Sequence, residues 1–334
     1  MRTLARRLVT IPGALLAALL SLLLAPVWIP LAAAFDLLGG GRRAATRGGA
    51  FLTLYLQCEA AGILASFLLW LASGVGPWAS RERFLAGNFR LQCAWGRALF
   101  EGASRIFGFR LEVEGAEALS PAPFLLFPRH ASVADTLLAV VLISAVHGTR
   151  LRYVLKRELL FDPCLDIVGN RLPNFFVDRE AEQSEREVEG VRRLAEGLGP
   201  AEALVLYPEG TRFSPEKRAR ALARLRRRAD PAFLARAERL RRVLPPRVGG
   251  PLACLEGAPG ADCVFCAHAG FEGAASLTDL WSGSLLGQKV RVRFWRVPRA
   301  EIPAGREARI AWLLGQWERV DAFLAGALPG GAAT

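Results

Sequence analysis

Phe124-Leu125-Leu126-Phe127-Pro128-Arg129-His130-Ala131-Ser132-Val133-Ala134-Asp135 is the stretch on which the reading of this chain turns. Four consecutive apolar residues suit a strand buried on both faces, the pattern of a parallel sheet covered by helices. Pro128 ends the strand, and from Ser132 to Val146 the spacing predicts a helix. A strand that runs into a helix through His-x-x-x-x-Asp puts an imidazole and a carboxylate where a catalytic dyad can form. Five positions apart on a regular helix the two side chains would diverge by about 140°. His130 is therefore expected ahead of the helix, folded back onto Asp135 in its first turn. Read locally, Ser132 is an N-cap and Asp135, three residues on, a capping-box acid; both readings can hold together.

Outward from this stretch the same grammar repeats. Phe109–Val113, Leu151–Leu155, Asn174–Val177, Ala203–Tyr207, Cys263–Ala267 and Val290–Val297 also read as short strands. Ala181–Leu198 and a stretch from Arg306 to about Ala325 read as helices. The alternation predicts an α/β fold, a mixed and partly parallel sheet flanked by helices. If the strands are parallel, the loops that follow them emerge at one edge, where open α/β sheets bind ligands. Lys156, Asp178-Arg179 and Tyr207-Pro208-Glu209-Gly210-Thr211-Arg212 would then join His130. One imidazole with two or three cations suits a phosphorylated acceptor, because guanidinium groups bind phosphate bidentately.

The front of the chain has a different character. Leu8 to Phe35 carries no charge and Ala50 to Ser73 only Glu59, and each run exceeds the ~20 residues a bilayer span takes. Trp28, Trp70 and Trp78 sit near the ends, where amphipathic rings suit the headgroup layer. Residues 1–76 are expected to be a membrane-embedded helical pair, and residues 77–330 a catalytic domain entered through an amphipathic helix, Trp78 to Phe107. Two alternatives stand beside this. Arg2, Arg6 and Arg7 before an apolar run, with Ala32-Ala33-Ala34 beyond it, resemble a cleaved leader. Pro12, Pro26 and Pro30, with Arg42, Arg43 and Arg47 in the connecting loop, suit a re-entrant hairpin.

Charge is concentrated too. The chain is +12 overall, and Arg212 to Arg247 holds 13 Lys or Arg against Glu216, Asp230 and Glu238. This predicts a basic helical insert at about 213–247. Only Phe213 and Phe233 interleave it, too few for the stacking platforms of single-strand binders, so no nucleic-acid partner is expected. Anionic lipid or an acidic carrier protein suits it better, beside a plain solvated face. The six cysteines, at 58, 93, 164, 254, 263 and 266, show no disulfide framework. Cys263-x-x-Cys266-x-His268 invites a metal, but on a strand Cys263 and Cys266 point to opposite faces, so no metal site is expected. Gly-x-Ser-x-Gly, His-Glu-x-x-His and P-loop motifs are absent from the sequence.

Four blocks together resemble the lysophospholipid acyltransferase family, and especially its 1-acylglycerol-3-phosphate acyltransferase branch. They are His130 to Asp135, Asn174 to Arg179, Glu209 to Arg212, and Leu244-Pro245-Pro246-Arg247-Val248-Gly249. Lys156 to Leu160, Phe213 to Lys217 and Trp312-Leu313 with Asp321-Ala322 add to the likeness, which runs from about residue 80 to 325. Arg129 departs from it, standing where an Asn commonly precedes the His, and Tyr207 replaces a common Phe.

The resemblance implies an enzyme of lipid metabolism that moves a fatty acyl group from acyl-CoA or acyl-carrier protein to the sn-2 hydroxyl of lysophosphatidate. His130 would act as general base, oriented by Asp135. Glu209, Gly210, Thr211 and Arg212 would meet the glycerophosphate, Arg179 and Lys156 would add cations, and Pro246 would shape the pocket. No cofactor is implied, and the domain is expected at the cytoplasmic face of a membrane. Another lysolipid acceptor, such as lysocardiolipin or an aminolipid, is the competing substrate, and a noncatalytic membrane lipid-binding protein the competing class.

Overall fold

The computed structural model describes residues 3–39, 44–73, 80–178, 185–227, 229–274 and 278–327. Three helices come first: α1 (Thr3–Leu23), α2 (Ala25–Leu38) and α3 (Ala44–Ala72). The apolar run expected as one helix is two, broken at Leu24, so the expected pair is a trio. Pro26 sits in the first turn of α2, where its missing N–H removes no helical bond. Pro12 and Pro30 are carried inside α1 and α2. Asp36 of α2 accepts the Ala45 and Thr46 backbone N–H groups and so caps α3.

α4 (Arg81–Phe107) opens on Ser80, whose hydroxyl accepts the Arg83 N–H, and closes on Gly108 at φ 72°. Trp78, expected to open it, lies outside the described residues. α3 and α4 run antiparallel in contact: Phe51 meets Phe107, Leu54 meets Gly102 and Leu69 meets Gly87. A Cβ on Gly102 would stand 2.1 Å from Leu54 Cδ2, so a larger residue there would have to displace the Leu54 side chain.

The α/β part of the chain follows as β1 (Arg110–Glu114), β2 (Phe124–Pro128), α5 (Ala145–His147), β3 (Arg150–Lys156), α6 (Pro163–Gly169), β4 (Phe175–Val177), α7 (Glu185–Ala195), β5 (Glu202–Val205), α8 (Pro215–Leu225), α9 (Pro231–Arg239), α10 (Gly249–Gly257), β6 (Asp262–Ala269), β7 (Lys289–Val297) and α11 (Arg306–Ala327). The basic insert is thus α8 and α9. Residues 181–184, expected to begin α7, lie outside the described residues.

The seven strands form one sheet in the order β1-β7-β6-β2-β5-β3-β4. β2 to β6 are mutually parallel, while β7 is antiparallel to β6 and carries β1 parallel beside it. β2 is buried along its whole length. Leu125 and Phe127 face a cluster completed by α7, α10 and α11; Phe124 and Leu126 face one completed by α4, Leu138 and Ile143. Each such side chain contributes about 1.5–3 kcal/mol, so the central strands anchor their own C-terminal loops. Cys263 and Cys266 lie in opposite clusters, as alternation along a strand requires.

One expectation fails in detail. In place of a regular helix from Ser132 to Val146 stand a 3-10 turn over Ala134–Leu137, a π-type turn over Val140–Ser144 and the short α5. The β-branched Val140, Val141 and Ile143 crowd a regular α turn. Val140 also packs so closely on Gly96 of α4 that a Cβ there would lie 2.9 Å from Val140 Cγ1.

Candidate active site

Because β2 to β6 are parallel, the loops leaving their C-terminal ends share one sheet edge. These loops carry His130, Lys156, Asp178, the Glu209-to-Arg212 turn and the Gly270-to-Glu272 turn. Arg179 lies outside the described residues.

At the end of β2, His130 Nδ1 is 3.0 Å from Asp135 Oδ1. The other carboxylate oxygen accepts the N–H groups of Ala131 and Ser132 at 2.6 and 2.7 Å. One acid therefore closes the turn and orients the imidazole, so capping and dyad are a single device. Burial alone would raise the Asp135 pKa. The His130 charge, with hydrogen bonds from His130 and His268, outweighs it and holds the carboxyl well below the usual range. The Tyr207 ring lies against the imidazole with centroids 4.6 Å apart.

Three side chains brace this dyad from below. Glu209 is buried and accepts two backbone N–H groups, His130 at 2.9 Å and Leu244 at 2.8 Å. Burial pushes its carboxyl up to about 7, against the pull of Arg129 and those two donors. With both oxygens taken, Glu209 positions the dyad; the carboxylate expected at the substrate is a strut between two loops. Arg129, 1 % exposed, donates to the His268 carbonyl and pairs with Glu272 at 2.5 Å. His268 Nε2 lies 3.1 Å from the Arg129 carbonyl and 3.4 Å from Asp135 Oδ2.

The sequence marks His268 only as part of a candidate metal motif, and no motif picks out Glu272. His268 is hidden in an apolar strand, and its further signal is the period of two that puts it on the face of Val264 and Cys266. Arg129, which departs from the family pattern, is the signal for Glu272: a buried guanidinium needs a partner.

Two cavities adjoin beside the dyad, and only the first reaches His130. The first, about 460 Å³, is lined mainly by apolar side chains such as Trp95, Leu137, Val140 and Val168, with His130, Lys156, Arg212 and Arg247 also on its wall. The second, about 1000 Å³, is lined by Thr211, Pro246 and a set of basic residues, and shares Lys156, Gly210 and Arg247 with the first. Gly210 adopts φ 67°, and a Cβ on it would meet Arg247 Nε at 2.7 Å. The Arg247 N–H donates to the Pro208 carbonyl, docking the proline block against the Glu-Gly-Thr-Arg turn. The structure therefore gathers His130, Asp135, Lys156, Glu209, Gly210, Thr211, Arg212 and Pro246, and adds Arg247.

A family model described as Acyltransferase matches residues 110–246. The crystal structure of the 1-acyl-sn-glycerophosphate (LPA) acyltransferase PlsC from Thermotoga maritima is similar at a TM-score of 0.49 and 14 % identity, over 82 % of this chain and 97 % of that one. The matched span begins at β1 and closes at Pro246, taking in the dyad, its Glu209 strut, and Lys156 and Gly210 of the wall that both cavities share. Over that span the chain is similar to the acyltransferases.

Proposed function

We propose that this enzyme acylates the sn-2 hydroxyl of lysophosphatidate, giving phosphatidate. The observation that carries the proposal is one cavity whose wall combines His130, the cations Lys156 and Arg212, and an apolar lining. An acceptor with a hydroxyl, a phosphate a few bonds away and a hydrocarbon tail matches all three.

With Nδ1 donating to Asp135, the Nε2 lone pair of His130 is the proton acceptor. It takes the acceptor's proton as the oxygen attacks the thioester carbonyl, and the tetrahedral adduct collapses by expelling thiolate. The imidazolium then protonates the thiolate, and Asp135 stabilises the cation in between. No covalent enzyme intermediate and no cofactor is required, since the thioester is already activated.

The proposal places the enzyme on a membrane without crossing it. α1 and α3 are long and apolar enough to span. Yet α3 rests on α4 from Phe51 to Leu69 and also bonds α6 through Tyr55–Asp162 and Glu59–Cys164. A helix lying along its own domain for that length suits insertion into one leaflet. The domain faces the cytoplasm, where thioester donors are found.

The test compares acceptors. Arg212→Ala should lower kcat/KM for lysophosphatidate roughly tenfold to a hundredfold, the value of a charged hydrogen bond to phosphate, and leave the poor rate on monoacylglycerol unchanged. Equal losses on both, or a wild-type preference for another lysolipid, would overturn lysophosphatidate as substrate.

A further inference from the structure

Of the three histidines only His268 is fully buried, and the proton transfer just described gives it no part. It comes from β6, which runs on past the last pair it makes with β2, Cys266 with Pro128, and so carries His268 level with His130. An imidazole in an otherwise apolar strand is unfavourable unless its polar atoms are used. Here one nitrogen is used and the other is not.

Nε2 faces two oxygens, the Arg129 carbonyl at 3.1 Å and Asp135 Oδ2 at 3.4 Å. A lone pair aimed at two oxygens would repel both, so Nε2 carries the hydrogen and shares it between them. Nδ1 has no partner among the described residues, and a hydrogen there would be a buried donor with nothing to accept it. Hydrogen on Nε2 and a bare Nδ1 is the tautomer that fits. Arg129 and His268 thereby clasp each other, each side chain on the other's carbonyl.

The donors that meet Asp135 differ in origin. Ala131 and Ser132 lie in the same turn as the carboxylate and move with it, and His130 is the group to be held. Among the described residues, His268 is the one side chain from outside the turn that reaches this carboxylate. An outside anchor matters because no regular helix follows to fix the turn: the backbone continues as a 3-10 turn and then a π-type turn. The Ser132 hydroxyl is tied on the same side, to the Ala274 carbonyl at 2.6 Å. With Oδ2 met by Ala131, Ser132 and His268, Oδ1 is left to His130. Asp135 then keeps the hydrogen of His130 on Nδ1 and leaves Nε2 bare for the acceptor's proton.

We propose that His268 is a positioning residue of the reaction, its Nε2–H holding Asp135 Oδ2 so that Oδ1 stays turned to His130 and keeps it in the tautomer that accepts a proton. This role rests on the acyl-transfer reading with His130 as base. It extends the dyad to an imidazole–carboxylate–imidazole array in which only His130 meets substrate.

Full-length His268→Phe and His268→Gln test it. Phenylalanine fills the site without a donor, whereas the glutamine amide N–H reaches the place of Nε2. His268→Phe should lower kcat about tenfold or more, as loss of a hydrogen bond to a charged group does, and leave KM for thioester and lysolipid unchanged. His268→Gln should recover most of that loss, and thermal unfolding checks that both variants fold. Nitrogen NMR on enzyme labelled at histidine reads the tautomers without any assay, and in wild type it needs no variant at all. Wild-type His268 should carry its hydrogen on Nε2 and His130 on Nδ1, while His130 of the Phe variant should mix its two tautomers. Near-normal turnover in His268→Phe, equal losses in the Phe and Gln variants, or a wild-type His268 with its hydrogen on Nδ1 would each overturn the proposal. The functional reading fails separately, through a wild type that shows these tautomers yet transfers no acyl group from any thioester.

Discussion

The catalytic edge and the amino-terminal helices solve opposite packing problems. At the edge, charge is inside: Arg129, Asp135, Glu209 and His268 are all at most 2 % exposed, and each is held by backbone groups or by a charged neighbour. In α1 to α3 the apolar side chains are outside. Leu64, Phe67, Leu68 and Leu71, spaced at i, i+3, i+4 and i+7, are 46–62 % exposed, while Glu59 and Ser66 are buried against the domain. A helix in water hides its apolar stripe. Polar inward and apolar outward is the arrangement for a helix whose outer face meets lipid. One chain thus carries two inside–outside rules, and the medium decides which applies.

The largest expected effect separates the two regions completely. His130→Ala should lower kcat by about 10²–10⁴-fold or more, the range for loss of a general base, with thermal unfolding and membrane fractionation unchanged. Near-normal turnover would remove the dyad from the mechanism.

The next effect probes the seam between them. Arg6 and Arg7 of α1 both bond Asp166 of α6, whose side chain is fully buried. This clamp ties the start of α1 to α6. Replacing both arginines by Ala leaves a buried carboxylate with the Asn170 amide as side-chain donor but no counter-charge, and should cost about 3–5 kcal/mol, read as a lower midpoint in detergent unfolding. Asp166→Asn in that background should restore part of it, and a double variant as stable as wild type would show the clamp to be idle.

The smallest expected effect tests the lipid-facing stripe. Leu68→Ser should weaken vesicle binding by about 1.5–3 kcal/mol, the value of one large apolar side chain moved out of water. Folded stability in micelles and turnover in solution should stay the same. Unchanged vesicle binding in low and high salt would mean that this face does not meet lipid.

How much of this was legible in advance differs by element. All seven strands are legible to within two residues at either end, because a strand buried on both faces must be a short apolar run between breakers, and a local pattern suffices to say so. The His130–Asp135 pairing is legible for a similar reason, since five positions on a regular helix would part the two side chains and force the turn. The irregular backbone from Ala134 to His147 is not, because Val140 packs on a glycine more than forty residues away.

Sequence alone determined where the chemistry-bearing groups lie along the chain: the dyad, the Glu-Gly-Thr-Arg turn, the basic stretch and the apolar front are all written in residue type and spacing. Tertiary structure alone decided which of these charges are spent internally. Glu209 becomes a strut and Arg218 a carbonyl anchor, while Arg224 is left facing a cavity, and no local pattern distinguishes them. The reason is that a charge is neutralised by whatever lies within a few ångströms, and those neighbours arrive from β2, β6, α9 and the proline block, distant in the chain and joined only by the fold.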